Sequence, residues 1–447
     1  MIPHTLRPLV HSRSVLVSLG LALLFFLAAA AAKPATTQIG PKDRQAIVER
    51  ILTTLDDIYV FPEISHKMGE RLRRQLKSGA YDKFGGLPAF SEQLTQDLRE
   101  VSHDLHLGLM AMEKPLTKES PEEFQAGLAH VRRENFCFRE VKILPGNVGY
   151  LKLDCLAPTE FAGPTAIAAM GFLAGSDAVI FDLRENSGGQ SGMSQLLASY
   201  LLPPEPTQLS SLYVRKGDRT EQSWTQAWVP GSRLTEALVY VLTSPDTFSA
   251  AEGFTYDLKT LKRATIVGET TGGAAHAARL LGVEGYPLAI SVPFGRAVNP
   301  VTGTNWEGTG VAPDVAVPAA QALTVAHSRA LAAIAGKATD PEVKATTTLL
   351  HQILEGRLHP VIVPAGELAA MVGTYGPRRV TLEGGVLLYQ RDDQPRQRLL
   401  PIGNDQFLVG DFNDRLMRFE RDSKGKIVSM LGVAVGREEQ RTERSAE

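Results

Sequence analysis

From Phe136 to Val292 the chain alternates short apolar, β-branched runs with stretches of helical periodicity. This alternation restricts the fold more than any other feature of its 447 residues. Ala178–Leu183 and Leu238–Leu242 are short runs with the Val and Ile content of buried strands. Strands alternating with helices imply a mixed or parallel sheet covered by helices. In open sheets of that kind, sites form at the carboxyl ends of strands. Two segments lie at such ends: RENSGG, Arg184–Gly189, and TSPDTFS, Thr243–Ser249.

The second segment belongs to a strand–turn–helix unit. After the turn Thr243–Asp246, the residues Phe254, Leu258 and Leu261 recur at helical spacing. A serine at this junction sits near outward N–H groups and the positive end of a helix dipole, where an alkoxide or an oxyanion is stabilised. Ser249-Ala250-Ala251-Glu252 equally fits a capping box, serine at the N-cap and glutamate at N3. A reactive hydroxyl needs a base, a group to orient it and oxyanion donors. His106, at the end of SHDLH, is a candidate base, with His103 and His276 as competitors. Glu307 is an acid in the glycine-rich NWEGTGVAPD, and Gly188-Gly189 can expose backbone N–H groups. Singly, each has an ordinary reading as a surface histidine, a solvated carboxylate or a turn.

The N-terminus carries Arg7 and Arg13, an apolar run from Val15 to Ala32, and the small residues Ala30-Ala31-Ala32. This predicts a signal peptide over 1–32, hence export to the periplasm or exterior; a membrane contact arises only if the segment is not cleaved. The net charge of −2 gives no reason to expect nucleic acid. Three apolar stripes punctuated by Pro62, Gly79 and Pro88 predict a helical domain over 41–113. A core over 114–330 follows, in which Leu212–Arg215 and Ser223–Val229 read as short strands. A helical linker over 331–363 leads to a small all-β domain over 364–440, and the charged tail from Arg437 is expected to fray. Cys137 and Cys155 flank a hairpin; with Gly146 at its turn centre they fall opposite each other. A disulfide and a pair of small buried thiols both fit.

Together, YVFPE, VSHDLHLGL, NVGYLKL, IFDLRENSGGQSG, VLTSPDTFSAAEGF, KRATIVGETTGGAAH and VPFGRAVNPVTGTNWEGTGVAPD resemble the tail-specific, or C-terminal processing, serine peptidases. The nearest branch is that of the interphotoreceptor retinoid-binding protein repeats and the tricorn protease core. The resemblance covers roughly Asp43 to Val317 and leaves out the small β domain. It implies an α/β, crotonase-like core of ββα units, and Ser249 as nucleophile. It also implies His106 as base, Glu307 as the acid completing the set, and Ser102 as auxiliary group. The oxyanion donors implied are the N–H of Ala250 and a glycine of Gly188-Gly189. Many members use a lysine in the loop after G-E-x-T, where this chain has Ala274 and Ala275, which favours a histidine base. The stretch Met112–Asn135 is too short for the PDZ domain of processing peptidases. The expectation is an exported serine peptidase acting on peptides or proteins through an acyl-enzyme, with no cofactor and no metal. The alternatives are a non-catalytic binder of apolar ligands on the same fold, or an esterase.

Overall fold

A computed structural model describes residues 37–117, 120–412 and 414–445. The expected signal peptide lies outside the described residues. Helices α1 (Pro41–Ile58), α2 (Pro62–Lys77) and α3 (Leu87–Ser102) each begin with proline in the first turn, where its missing N–H costs nothing. Strand β1 (Gly108–Ala111) and helix α4 (Pro121–Arg133) lead to the hairpin β2 (Phe138–Leu144) and β3 (Val148–Leu153). Then follow α5 (Thr159–Leu173), β4 (Ala178–Asp182), α6 (Ser191–Leu201), β5 (Gln208–Val214), β6 (Arg219–Trp224) and β7 (Leu238–Thr243). The next elements are α7 (Ala250–Thr260), β8 (Thr265–Gly268), β9 (His276–Gly282), β10 (Leu288–Val298) and β11 (Val315–Ala316). Helices α8 (Ala319–Lys337), α9 (Pro341–Leu358) and α10 (Ala365–Ala370) complete this part. Helix α8 runs through position 330, where the sequence reading placed the end of the core. Strand β6 ends at Trp224, short of the strand expected to reach Val229.

The central sheet has the order β11-β8-β7-β4-β3-β2, parallel except for the edge strand β2. Alternation along the strands splits its side chains between two cores. Val179, Phe181, Val239 and Val241 pack with residues of α5, α6 and α7 on one face. Tyr150, Ile180, Tyr240 and Leu242 pack under Ala322, Ala326 and Ala330 of α8 on the other. A second, antiparallel sheet, β1-β10-β5-β6 with β9 beside β10, carries the N-terminal helices. Ile47, Ile51, Leu55, Phe90 and Leu94 share one interior with Leu288, Ile290 and Val292 of β10. The N-terminal helices are thereby joined to the second sheet through a common interior, and the loop after α3 meets Phe248 in the turn after β7.

The hairpin pairs Val141 with Leu151 and Leu144 with Val148, placing its turn centre at Gly146. Cys137 and Cys155 are joined in a disulfide, 18 residues apart in sequence. Breaking it with a reductant, or by Cys137→Ser with Cys155→Ser, is expected to lower the unfolding free energy by about 3 kcal/mol, since it frees a short loop in the unfolded chain. Urea unfolding measures this; a loss well under 1 kcal/mol would mean that strand pairing alone fixes the hairpin.

The C-terminal domain is a meander of eight antiparallel strands. They are β12 (Gly373–Tyr375), β13 (Arg378–Glu383), β14 (Val386–Arg391), β15 (Gln397–Gly403), β16 (Gln406–Val409), β17 (Arg415–Arg421), β18 (Ile427–Ala434) and β19 (Gln440–Glu443). The tail does not fray as its charge suggested, because β19 pairs with β18 over Gln440–Glu443. Ser445 N–H then donates to Thr374 O at 2.8 Å, so the end of the meander meets its beginning. No helix among the described residues is long and apolar enough to cross a membrane.

Candidate active site

The carboxyl end of β7 delivers Ser249. Its strand is buried from Val239 to Thr243, and the following turn is stitched to the loop after β4. Thr247 Oγ1 donates to Leu183 O at 2.7 Å, and Phe248 N–H to Asn186 O at 3.0 Å. Asn186, fully buried, ties that loop to β3 by donating to Leu153 O at 2.9 Å. Ser249 emerges at φ 54° and ψ −121°, just before the first residue of α7. A non-glycine residue in this region carries backbone strain of about 1–3 kcal/mol, of the kind that collects at functional sites.

Glycine is required beside it. A Cβ on Gly188 (φ 96°) would stand 2.7 Å from Ser249 Cβ and 3.0 Å from Ala250 N. A Cβ on Gly189 (φ 142°) would stand 2.2 Å from Leu156 O. The Gly188 N–H is already donated to Asn186 Oδ1 at 2.9 Å. Of the two glycines, Gly189 therefore keeps the N–H free for a ligand. Ala250 N–H opens α7, among the helix N–H groups that have no partner within the helix.

Glu252 lies beneath, fully buried. Its carboxylate accepts from Ser249 N–H at 2.8 Å, Thr271 Oγ1 at 2.6 Å, Gly273 N–H at 2.7 Å and Ala274 N–H at 2.9 Å. The capping pair is present, and it also binds the serine turn to the GETTGG loop. Burial pushes the Glu252 carboxyl up in spite of these four donors.

His106 stands on the loop after α3. His103 ends that helix in a left-handed conformation, its N–H donating to Arg99 O at 2.8 Å. Asp104 N–H donates to Ser102 Oγ, and His106 N–H to Asp104 Oδ1 at 3.0 Å. The His106 ring lies against Phe248, the residue before Ser249, with centroids 5.0 Å apart. Burial pushes its pKa down to about 4, with Asp104 opposing and His276 and Arg99 assisting. The imidazole is consequently neutral at pH 7.

Glu307 sits elsewhere than its expected partner. Its carboxylate accepts from Ala275 N–H at 2.5 Å and lies 3.5 Å from His276 Nδ1. His276 Nδ1 in turn meets Asp104 Oδ2 at 2.7 Å. The contacts run Glu307–His276–Asp104 and reach His106 only through its backbone. Burial opposes charge on His276, but the hydrogen bond and charge of Asp104, with Glu307 beyond, outweigh it and raise its pKa. Asp104 was visible in SHDLH but had no assigned role. His276, which directly follows the GETTGGAA loop, is in the sequence only a competing candidate base. Ser102 serves the turn through Asp104. Nδ1 of His106 and Oε1 of Glu307 are buried without hydrogen-bond partners, a condition that calls for a functional explanation. Asp104, His276 and Glu307 also bring three ligand atoms within 4.8 Å of one another, close enough to take a divalent ion.

Comparison with known proteins places these segments in context. The model of peptidase family S41 matches residues 147–317, and that of the N-terminal domain of Peptidase_S41 in eukaryotic IRBP matches residues 41–135. Among solved structures, a lipoprotein from Streptococcus agalactiae is 14% identical with a TM-score of 0.45, covering 67% of this chain and 99% of its own. A putative peptidase from Parabacteroides merdae ATCC 43184 is 20% identical with a TM-score of 0.44, covering 63% and 90%. The photosystem II D1 C-terminal processing protease is 15% identical with a TM-score of 0.39, covering 62% and 93%.

Proposed function

Because the chain belongs to peptidase family S41 and is a serine-type peptidase, we propose that Ser249 is its nucleophile and that it cleaves peptide bonds through an acyl-enzyme. The observation that carries this reading is the strained Ser249 held between Gly188 and the first N–H of α7, with the His106 ring on the adjoining Phe248. In the proposed reaction the Ser249 hydroxyl attacks the scissile carbonyl and its proton passes to His106, which gives it to the departing amine as the C–N bond breaks and the acyl-enzyme ester forms. The N–H groups of Ala250 and Gly189 receive the developing oxyanion, and water then resolves the ester. Asp104 supplies the negative charge that favours the imidazolium formed at His106. Glu307 acts at one remove, by holding His276 against Asp104. The parallel β3–β4–β7–β8 sheet flanked by helices is compatible with a crotonase-like core. Export to the periplasm or exterior is supported by the apolar N-terminal run and by the Cys137–Cys155 disulfide, a bond favoured in oxidising compartments.

The base assignment has a pH signature. A base must be neutral to accept a proton, so lowering its pKa moves the acid limb to lower pH. With His106 near 4, kcat/KM is expected to hold down through pH 6 and to fall as pH drops toward about 4. His276, whose pKa is raised, would instead give a limb above its ordinary value of about 6.5. The pH profile of peptide turnover decides between them. His106→Ala is expected to abolish labelling by a fluorophosphonate probe, whereas His103→Ala at an exposed position retains it. Labelling that survives in His106→Ala would move the base elsewhere.

A further inference from the structure

The C-terminal meander carries a half-open cavity of about 260 Å³ that no peptidase chemistry requires. Its wall combines charged and apolar residues: Arg378, Arg391, Arg415 and Arg437 line it, and so do Tyr389 and Met417. Most of this charge is balanced nearby. Arg415 pairs with Asp414 at 2.8 Å, and Arg391 lies 3.8 Å from Asp392. Arg437 is exposed at the rim beside Glu438, which also lines the cavity.

Arg378 is different. It is only 4% exposed, and its guanidinium donates solely to neutral acceptors: Gln440 O at 3.0 Å, Gln440 Oε1 at 2.8 Å and the Thr442 hydroxyl. Its Nε is buried with no hydrogen-bond partner. Among the described residues no carboxylate pairs with it. A guanidinium offers five donors and stays charged in proteins. Burying such a charge without a counter-charge is unfavourable, because the water it gives up is not replaced by an opposite charge. The fold nonetheless makes room for it. Gly432 of β18 lies beneath the guanidinium, where a Cβ would come within 3.3 Å of Nη2.

We infer that this cavity binds a small organic monocarboxylate with a short apolar body, its carboxylate on Arg378 and its body against Tyr389 and Met417. Guanidinium and carboxylate form short, charge-assisted hydrogen bonds, and Arg378 lines the cavity with neither a carboxylate beside it among the described residues nor a partner for its Nε–H. The volume lies below the roughly 300–1,000 Å³ of drug-sized sites, so the ligand is small. The site belongs to the β domain and does not depend on the reading of Ser249.

Calorimetric titration of the full chain as Ser249→Ala, so that turnover plays no part, with octanoate, octan-1-ol and inorganic sulfate tests this. Octanoate should bind saturably, one molecule per chain, and raise the melting temperature, whereas octanol and sulfate should bind at least about tenfold more weakly, a gap that reports recognition of both parts. Arg378→Met keeps the side-chain bulk and should lose octanoate binding at least about tenfold while melting no lower than the parent. Absence of saturable octanoate binding in the parent protein overturns the proposal whether or not the variant folds. So does octanol or sulfate matching octanoate, or unchanged octanoate affinity in Arg378→Met.

Discussion

Ser249→Ala is expected to lower peptide turnover by about 10⁴-fold or more, the order of loss seen when a catalytic serine is removed. The fold should be nearly untouched. If Ser249 did no more than cap α7, alanine would cost about 1 kcal/mol of stability and leave any hydrolysis in place. The two readings thus differ by orders of magnitude in rate and agree in stability. A fluorophosphonate probe gives the same contrast directly: the parent protein should be labelled and Ser249→Ala should not. Equal labelling of both would place the reactive hydroxyl elsewhere. Absence of labelling in the parent would favour the binding module considered from the sequence.

The second large effect concerns Glu252→Ala. A solvent-side capping glutamate is worth about 1 kcal/mol or less. Glu252 is fully buried and takes hydrogen bonds from four donors, three of them backbone N–H groups. Deleting it strands those donors away from water, at about 1–3 kcal/mol for each that finds no new partner. The expected loss is at least about 4 kcal/mol in equilibrium unfolding, on the same count. Because one stranded donor is the Ser249 N–H, labelling of the serine should also fall at temperatures where the variant remains folded. A cost near 1 kcal/mol with full labelling would mean that the turn holds its strained conformation without this carboxylate.

Much of the architecture was legible in the order of residues. The Leu238–Glu252 unit folds as its pattern suggested, because a buried β-branched run, a Ser-Pro-Asp turn and a 3.6-residue apolar period are each local signals. The hairpin register from Glu140 to Leu144 followed from one turn residue and the period of two. A bulge between Phe138 and Glu140 sets Phe138 against Leu153, so Cys137 and Cys155 are not the directly opposed pair that the turn alone implied. Other elements were hidden by composition. Strand β6 is polar and mostly exposed, so it shows no alternation to read. The tail beyond Arg437 looks like a solvated end until β19 is seen against β18, with Gln440 and Thr442 turned toward Arg378. The N-terminal helices showed their apolar stripes but not that the surface they cover is β10.

The candidate site divides along the same line. The glycines and the capping glutamate lie on short segments whose local conformation their own residue types favour, and the serine, though strained itself, follows a strand and a turn that are both local signals. Residue order alone was therefore enough to single them out. Which acid meets which histidine was decided by the tertiary structure. His276 and Asp104 are 172 residues apart and come within 2.7 Å because the N-terminal helices and β10 share a hydrophobic interior. Charges act through space, with a strength set by separation and burial, so their pairing depends on how the elements pack and leaves no periodic trace along the chain.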